Sequence, residues 1–227
     1  MQPHVHRTHR SGWIRAGMLG TNDGALSISG LMLGVAATHA TASGILGAGI
    51  AGLVAGALSM GAGEYVSVSS QADTERADLD LEREALENDP DGEHDELRDI
   101  YVSRGLDHEL ATQVSRQLMA HDALGAHARD DIGITDALSA KPLQAAFASS
   151  ISFTLGGMVP LLGGVVAPRE VAFVIPCVAF VFLSTLGALA AHIGSASVLR
   201  GATRALVWGA LAMGITSAVG ALFGALA

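Results

Sequence analysis

Between Asp23 and Glu64 the chain runs for 40 residues without an Asp, Glu, Lys or Arg. In an average soluble domain about a quarter of residues are charged, so a run of this length has no ready place there. A membrane helix needs about 20 apolar residues; this run holds two, divided at Thr38-His39-Ala40-Thr41-Ala42-Ser43. Three more uncharged windows follow, at 142–168, 171–199 and 205–227. The pattern predicts an all-α membrane protein with five transmembrane helices, near 14–37, 43–67, 143–166, 171–192 and 204–226. Pro160, Pro168 and Pro176 are placed to kink the third and fourth spans, which neighbouring helices tolerate. Composition agrees: half the residues are apolar and 15% charged, which argues against a disordered chain and against an ordinary soluble enzyme.

Basic residues precede the first span as they do in a signal peptide. Asn22 and Asp23 interrupt its apolar core, however, and no convincing cleavage site follows. The first segment is therefore read as a span. Arginine and lysine set the orientation. With the N-terminus inside, Arg7, Arg10, Arg15, Lys141, Arg200, Arg204 and the six arginines between spans two and three are cytoplasmic, and only Arg169 is outside. An odd number of spans then puts the C-terminus outside. No organelle-targeting segment is evident, and the expected location is a bacterial-type cytoplasmic membrane.

Residues 73–136 hold 19 of the 22 acids and six arginines, a net −13 within a chain of −9. Such an acidic balance excludes a nucleic-acid partner. A single cysteine, Cys177, excludes an internal disulfide framework and a Cys-rich metal site. The acidic stretch is helix-friendly and predicts a three-helix cytoplasmic insert. Ala72 to Glu87 continues the second span, since no Gly or Pro intervenes between Glu64 and Asp89. Pro90-Asp91-Gly92 reads as a turn, Glu93 to Arg104 as a second helix stopped by Gly105, and Asp107 to about Arg129 as a third, with a break at Gly125. The resulting organisation is a His/Arg-rich cytoplasmic tail (1–13), spans one and two (14–71), the insert (72–140) and spans three to five (141–227).

Two clusters carry chemistry. In the insert, Glu75, Asp78 and Glu82 fall at i, i+3, i+7; Glu93 and Glu96 at i, i+3; His127 and Asp131 at i, i+4. These spacings put each set on one helix face. Either the faces are simply solvated, or they converge carboxylates and an imidazole suited to Mn(II), Fe(II), Co(II) or Zn(II). A ferritin-like di-iron centre requires Glu-x-x-His pairs within a bundle; the nearest match, Asp91-x-x-His94, lies in the expected turn. In the spans, Asp23 sits mid-helix, where an acid costs roughly 2.5–3.5 kcal/mol to insert and marks a functional site by default. Met60 and Glu64 share a face of span two. Together with Asp23 they offer soft and hard ligands to a transiting borderline metal, although Met60 also reads as packing and Glu64 as a charge at the cytoplasmic boundary. Gly20/Gly24, Gly30/Gly34, Gly52/Gly56 and Gly220/Gly224 are small-x-x-x-small pairs that allow close helix contact. His4, His6 and His9 read as a solvated tail or as a metal collector. No phosphate-binding loop and no Ser/His/Asp or Cys/His constellation is present, so no enzyme is expected.

Gly20-Thr21-Asn22-Asp23-Gly24, then Ala57-Leu58-Ser59-Met60-Gly61-Ala62-Gly63-Glu64-Tyr65, then an acidic helical insert and three further spans resemble the vacuolar iron transporter family from about Trp13 to Ala227. The resemblance implies a homodimer with the metal path between the two copies of spans one and two. It implies export of Fe(II) and related divalent ions from the cytosol against inward protons, and an insert that gathers metal. Asp23 and Met60 fall on the family's membrane ligands, and Glu82, Glu93 and Glu96 on carboxylates of its metal-binding domain. His127 and Asp131 stand where plant relatives have Met and Glu, and Ala85 replaces another metal-binding Glu. Gly52 stands where some relatives carry a membrane Glu, and Glu64 where those relatives have Gly, so Glu64 is expected to replace the lost carboxylate. The expected function is a proton-coupled Fe(II)/Mn(II) exporter in contact with membrane lipid, with metal as substrate and no tightly bound cofactor. A passive metal channel and a membrane-anchored metal buffer or sensor are the alternatives.

Overall fold

The computed structural model describes residues 8–134 and 140–226. His4, His6 and most of the 1–13 tail lie outside the described residues. Those described form seven α-helices, one π-helical turn and no strand: α1 (Thr8–Ala36), α2 (Ala42–Asn88), α3 (Pro90–Ser103), α4 (His108–His127), the π-turn (Ala128–Ile132), α5 (Pro142–Val166), α6 (Val171–Ile193) and α7 (Val198–Leu226). The expected continuation of span two is present, since α2 runs unbroken for 47 residues. The expected turn at Pro90 is instead the start of α3. Asp89 caps it by accepting from the Gly92 N–H (3.0 Å), and Pro90, with no N–H to lose, occupies the first helical position. Pro160 and Pro176 lie inside α5 and α6, whereas Pro168 falls between them.

The chain divides into two compact units. One comprises α1, α2 up to Glu64, and α5 to α7; the other is Tyr65–Pro142. In the first unit α2, α5, α6 and α7 are long and apolar enough to cross a membrane. α1 is not among them, because Asn22 and Asp23 in mid-helix lower its hydropathy. Yet α1 is the inner helix. It supplies Ala25, Ile28, Ser29, Met32 and Leu33 to the core, with Phe153, Ile175, Leu183 and Met213 from the helices around it. Large apolar side chains such as Val166, Phe173, Val181 and Leu199 point outward instead, the distribution expected of surface facing hydrocarbon rather than water.

Glycine permits this arrangement. A Cβ on Gly24 would run into the backbone carbonyl of Phe153, and one on Gly156 into that of Thr21, so α1 and α5 cross backbone to backbone. At the other end of α1 a Cβ on Gly220 would strike the Gly34 carbonyl, which brings α7 equally close. The Ser150 hydroxyl adds a bond from α5 to the Ala57 carbonyl of α2 (2.9 Å).

Candidate metal centre

In the second unit three helices bring together three residues that could hold a metal ion, Glu82, Glu93 and His127. Glu82 lies half-buried on α2. Glu93 lies one turn into α3, where the positive helix N-terminus favours an acid. α3 is held against α4 by Leu97, Ala111 and Ser115, all fully buried, and by a 3.1 Å contact between the Ser115 hydroxyl and His94 Nε2. α4 does not run straight to His127. At Asp122 the backbone leaves the helix (φ −161°, ψ 90°), and the Asp122 carboxylate accepts from the Gly125 N–H at 3.0 Å. Asp122 thus acts as a second N-cap, starting a final turn that ends at His127. The break falls at Asp122 and not at Gly125 as the sequence suggests.

His127 is fully buried. Its Nδ1 lies 2.9 Å from Glu82 Oε1 and 3.6 Å from Glu93 Oε2, and one ligand atom from each of the three residues lies within 4.8 Å of the other two. The 2.9 Å approach does not have hydrogen-bond geometry: Glu82 Oε1 and both ring nitrogens are buried without a hydrogen-bond partner. Buried polar atoms almost always find one, so these atoms are gathered here without satisfying each other. Burial pushes the Glu82 carboxyl above its ordinary range. His127 pulls it down, and Glu93, Asp131 and Glu96 push it up again. Two carboxylates and an imidazole fit Mn(II), Fe(II), Co(II) or Zn(II), and three protein ligands leave positions open for water or for onward transfer.

The remaining acids behave differently. Glu96 and Asp131 are exposed and act on Glu82 through their charge. The π-turn interrupts the i, i+4 pairing expected of His127 and Asp131. The face of Glu75, Asp78 and Glu82 does not converge either: Glu75 accepts from Gln71 Nε2 (2.7 Å) and the Ala140 N–H (3.4 Å). Between His127 and Asp131 sits Asp130, which sequence reasoning passed over. Burial would raise its carboxyl, but hydrogen bonds from Arg104, Arg129 and Tyr101 outweigh that and hold it below the usual range.

In the first unit Asp23 and Met60 line one cavity of about 260 Å³ with Ser27, Gly52, Ser59 and Phe153. Ser27, four residues along α1, donates to Asp23 Oδ1 at 2.9 Å; it is a polar neighbour that the sequence analysis did not single out. Gly52 lines the same cavity, and a Cβ there would first have to displace the Leu31 side chain. Glu64 is half-buried one turn beyond Met60 and is not among the residues lining it.

The VIT family model matches residues 14–221 of the chain. The chain is 45% identical to a protein named vacuolar iron transporter from Acanthamoeba castellanii, over 97% of this chain and 82% of that protein. It is 35% identical to vacuolar iron transporter homolog 1 of Oryza sativa, over 97% and 78%. It is 33% identical to VIT-like transporter 1b of Glycine max, over 95% and 78%.

Proposed function

This chain belongs to the VIT family, and on that premise we propose that it is a proton-coupled exporter of divalent metal, Fe(II) or Mn(II), from the cytosol. α1, α2, α5, α6 and α7 all span the membrane in this reading, with the N-terminus and the insert inside and the C-terminus outside a bacterial-type cytoplasmic membrane. α1 crosses despite its polar centre because α5, α6 and α7 enclose it. The pore lies at the interface of a homodimer.

The observation that carries the reading is the shared cavity of Asp23 and Met60. A mid-helix acid beside a thioether has little use in a mere anchor, and both are metal donors. Glu82, Glu93 and His127 capture the ion at the cytoplasmic side, with Glu96 and Asp131 adding negative potential. The ion then passes Glu64 and reaches Asp23 and Met60 of both protomers. A proton entering from outside neutralises a carboxylate and weakens its hold on the metal, and loss of that proton inside restores it. Proton and metal thus compete for one oxygen set, which couples their opposite movements.

The test is flux of Fe(II) and Mn(II) in proteoliposomes under an imposed pH gradient, with internal pH recorded in parallel. Metal-dependent proton counterflow that vanishes in Asp23→Asn is the expected result. Metal flux without proton flux would make the chain a channel. Absence of both, from a folded chain whose insert still binds metal, would make it a buffer or sensor.

A further inference from the structure

We infer that Asp130 is a positioning residue for the insert's metal centre: it latches the π-turn to the C-terminal end of α3 and so fixes the spacing between Glu93 and His127. The inference rests on the reading of Glu82, Glu93 and His127 as metal ligands. Asp130 is directed at other partners. Its Oδ1 accepts from Arg104 Nη1 at 2.6 Å. Its Oδ2 accepts from the Tyr101 hydroxyl at 3.0 Å and from Arg129 Nη2 and Nε at 2.7 and 3.1 Å. Arg104 Nη2 also donates to the Asp130 backbone carbonyl at 2.9 Å. Arg104 thus grips side chain and main chain together, and its guanidinium lies 5.2 Å from the centre of the Tyr101 ring. The Asp130 side chain is only 9% exposed, so these contacts are better shielded than an ordinary surface ion pair.

Two features make this more than a tether. The Ala128–Ile132 segment is π-helical, a rare geometry that occurs mostly as single turns and frequently at functional sites. It follows directly on His127. α3, in turn, carries Glu93 near its start and Tyr101 and Arg104 at its end. The latch therefore joins the helix bearing one ligand to the segment bearing another, and it does so away from the ligand atoms. Hydrogen-bond partners of metal ligands commonly matter to affinity by 10–100-fold; Asp130 acts one step further out, through the backbone that carries His127, and the lower end of that range is expected.

The experiment titrates Co(II) into the purified full-length chain in detergent and records its visible absorption, whose band positions and intensities follow coordination geometry. In Asp130→Asn we expect Co(II) binding weakened about tenfold or more, with an altered Co(II) spectrum and unchanged helix content. Arg104→Lys keeps the charge but loses the planar fork; it should show the same spectral change with a smaller loss of affinity, and it carries the test should Asp130→Asn not fold. A wild-type spectrum and affinity in the folded variants would overturn the inference, as would weaker binding with an unaltered spectrum. Glu82→Gln separates the two levels. If the folded wild type and Glu82→Gln bind Co(II) alike, the metal centre itself is misassigned and the inference falls with it. If Glu82→Gln abolishes binding while Asp130→Asn leaves it untouched, only the latch fails.

Discussion

His127 Nδ1 and Glu82 Oε1 lie 2.9 Å apart inside the insert, and neither atom takes part in a hydrogen bond. The second ring nitrogen, Nε2, is equally buried and equally without a partner. A metal-free insert therefore holds buried polar atoms whose desolvation is offset only in part, by the attraction between His127 and Glu82; a buried group left without a partner costs on the order of 1–3 kcal/mol.

Replacing His127 with Met should relieve part of that cost. The thioether fills similar space and demands no hydrogen bond. We expect the metal-free insert of His127→Met to gain about 1 kcal/mol, read as slower hydrogen exchange at the amides of α3 and α4, while metal preference moves toward softer ions. Faster exchange would mean that the imidazole is a net stabiliser without metal.

Acid should affect the metal-free insert in two opposite ways. Glu82 titrates above its ordinary 4.5 when folded, so the folded chain takes up this proton before the unfolded chain does. Stability from Glu82 therefore rises as pH falls through the folded value and levels off below 4.5. Asp130 titrates below its ordinary 3.8; its contribution is present above 3.8 and is lost as pH falls through the folded value. Hydrogen exchange against pH should show protection growing on acidification and then collapsing. Glu82→Gln should weaken the rising limb. Metal affinity should fall steadily toward acid, since protons and metal compete for Glu82.

Asp122→Ala should reduce metal binding from a position five residues before the ligand. The substitution removes the cap of the last turn, at a cost of about 1 kcal/mol, and lets α4 run through as a regular helix. That rotates His127 away from Glu82 and Glu93. Isothermal titration with Mn(II) measures the loss; unchanged affinity would show that the break is not what aims the imidazole.

Gly24→Ala should sharply reduce the yield of monodisperse protein in detergent. Its Cβ would collide with the Phe153 carbonyl, a backbone atom that cannot swing aside, and overpacking of this kind costs about 1–3 kcal/mol or more. Gly214→Ala is the control. A Cβ at Gly214 meets no atom within 4 Å, and removal of a helical glycine should raise the melting temperature slightly.

The long helices were legible because uncharged windows record them in composition alone. α5 and α6 begin and end within a residue of the spans read for them, and α2 continues where no Gly or Pro stops it. α7 starts earlier than expected, at Val198, because Arg200 and Arg204 bounded the uncharged window but do not break a helix. The insert is written in finer signs. Asp89-x-x-Gly92 and Asp122-x-x-Gly125 are the same cap, an Asp accepting from the N–H three residues on, and a Cβ on either glycine would run into that carboxylate. Reading glycine as the breaker placed the second break three residues late. Helical spacing offered the convergence of Glu82, Glu93 and His127 only as an alternative to solvated faces, since each comes from a different helix, and family resemblance pointed to them together with Glu96 and Asp131. Nothing in the sequence marks the Arg104–Asp130 pairing, which closes across 26 residues.

The inner position of α1 also has a consequence for how the protein is made. α1 leaves the ribosome first, yet the surfaces that fit it come last: Gly24 must wait for Phe153, and Gly34 for Gly220. At ordinary elongation rates that interval is on the order of ten seconds or more. Until α5 is made, the segment bearing Asn22 and Asp23 lacks the helix that crosses it at Gly24, and until α7 is made the other end of α1 lacks its contact at Gly34. If α1 spans the membrane as proposed, it has to be retained until α5 and α7 are synthesised, and a chain truncated before Gly220 would lack the helix that meets α1 at Gly34.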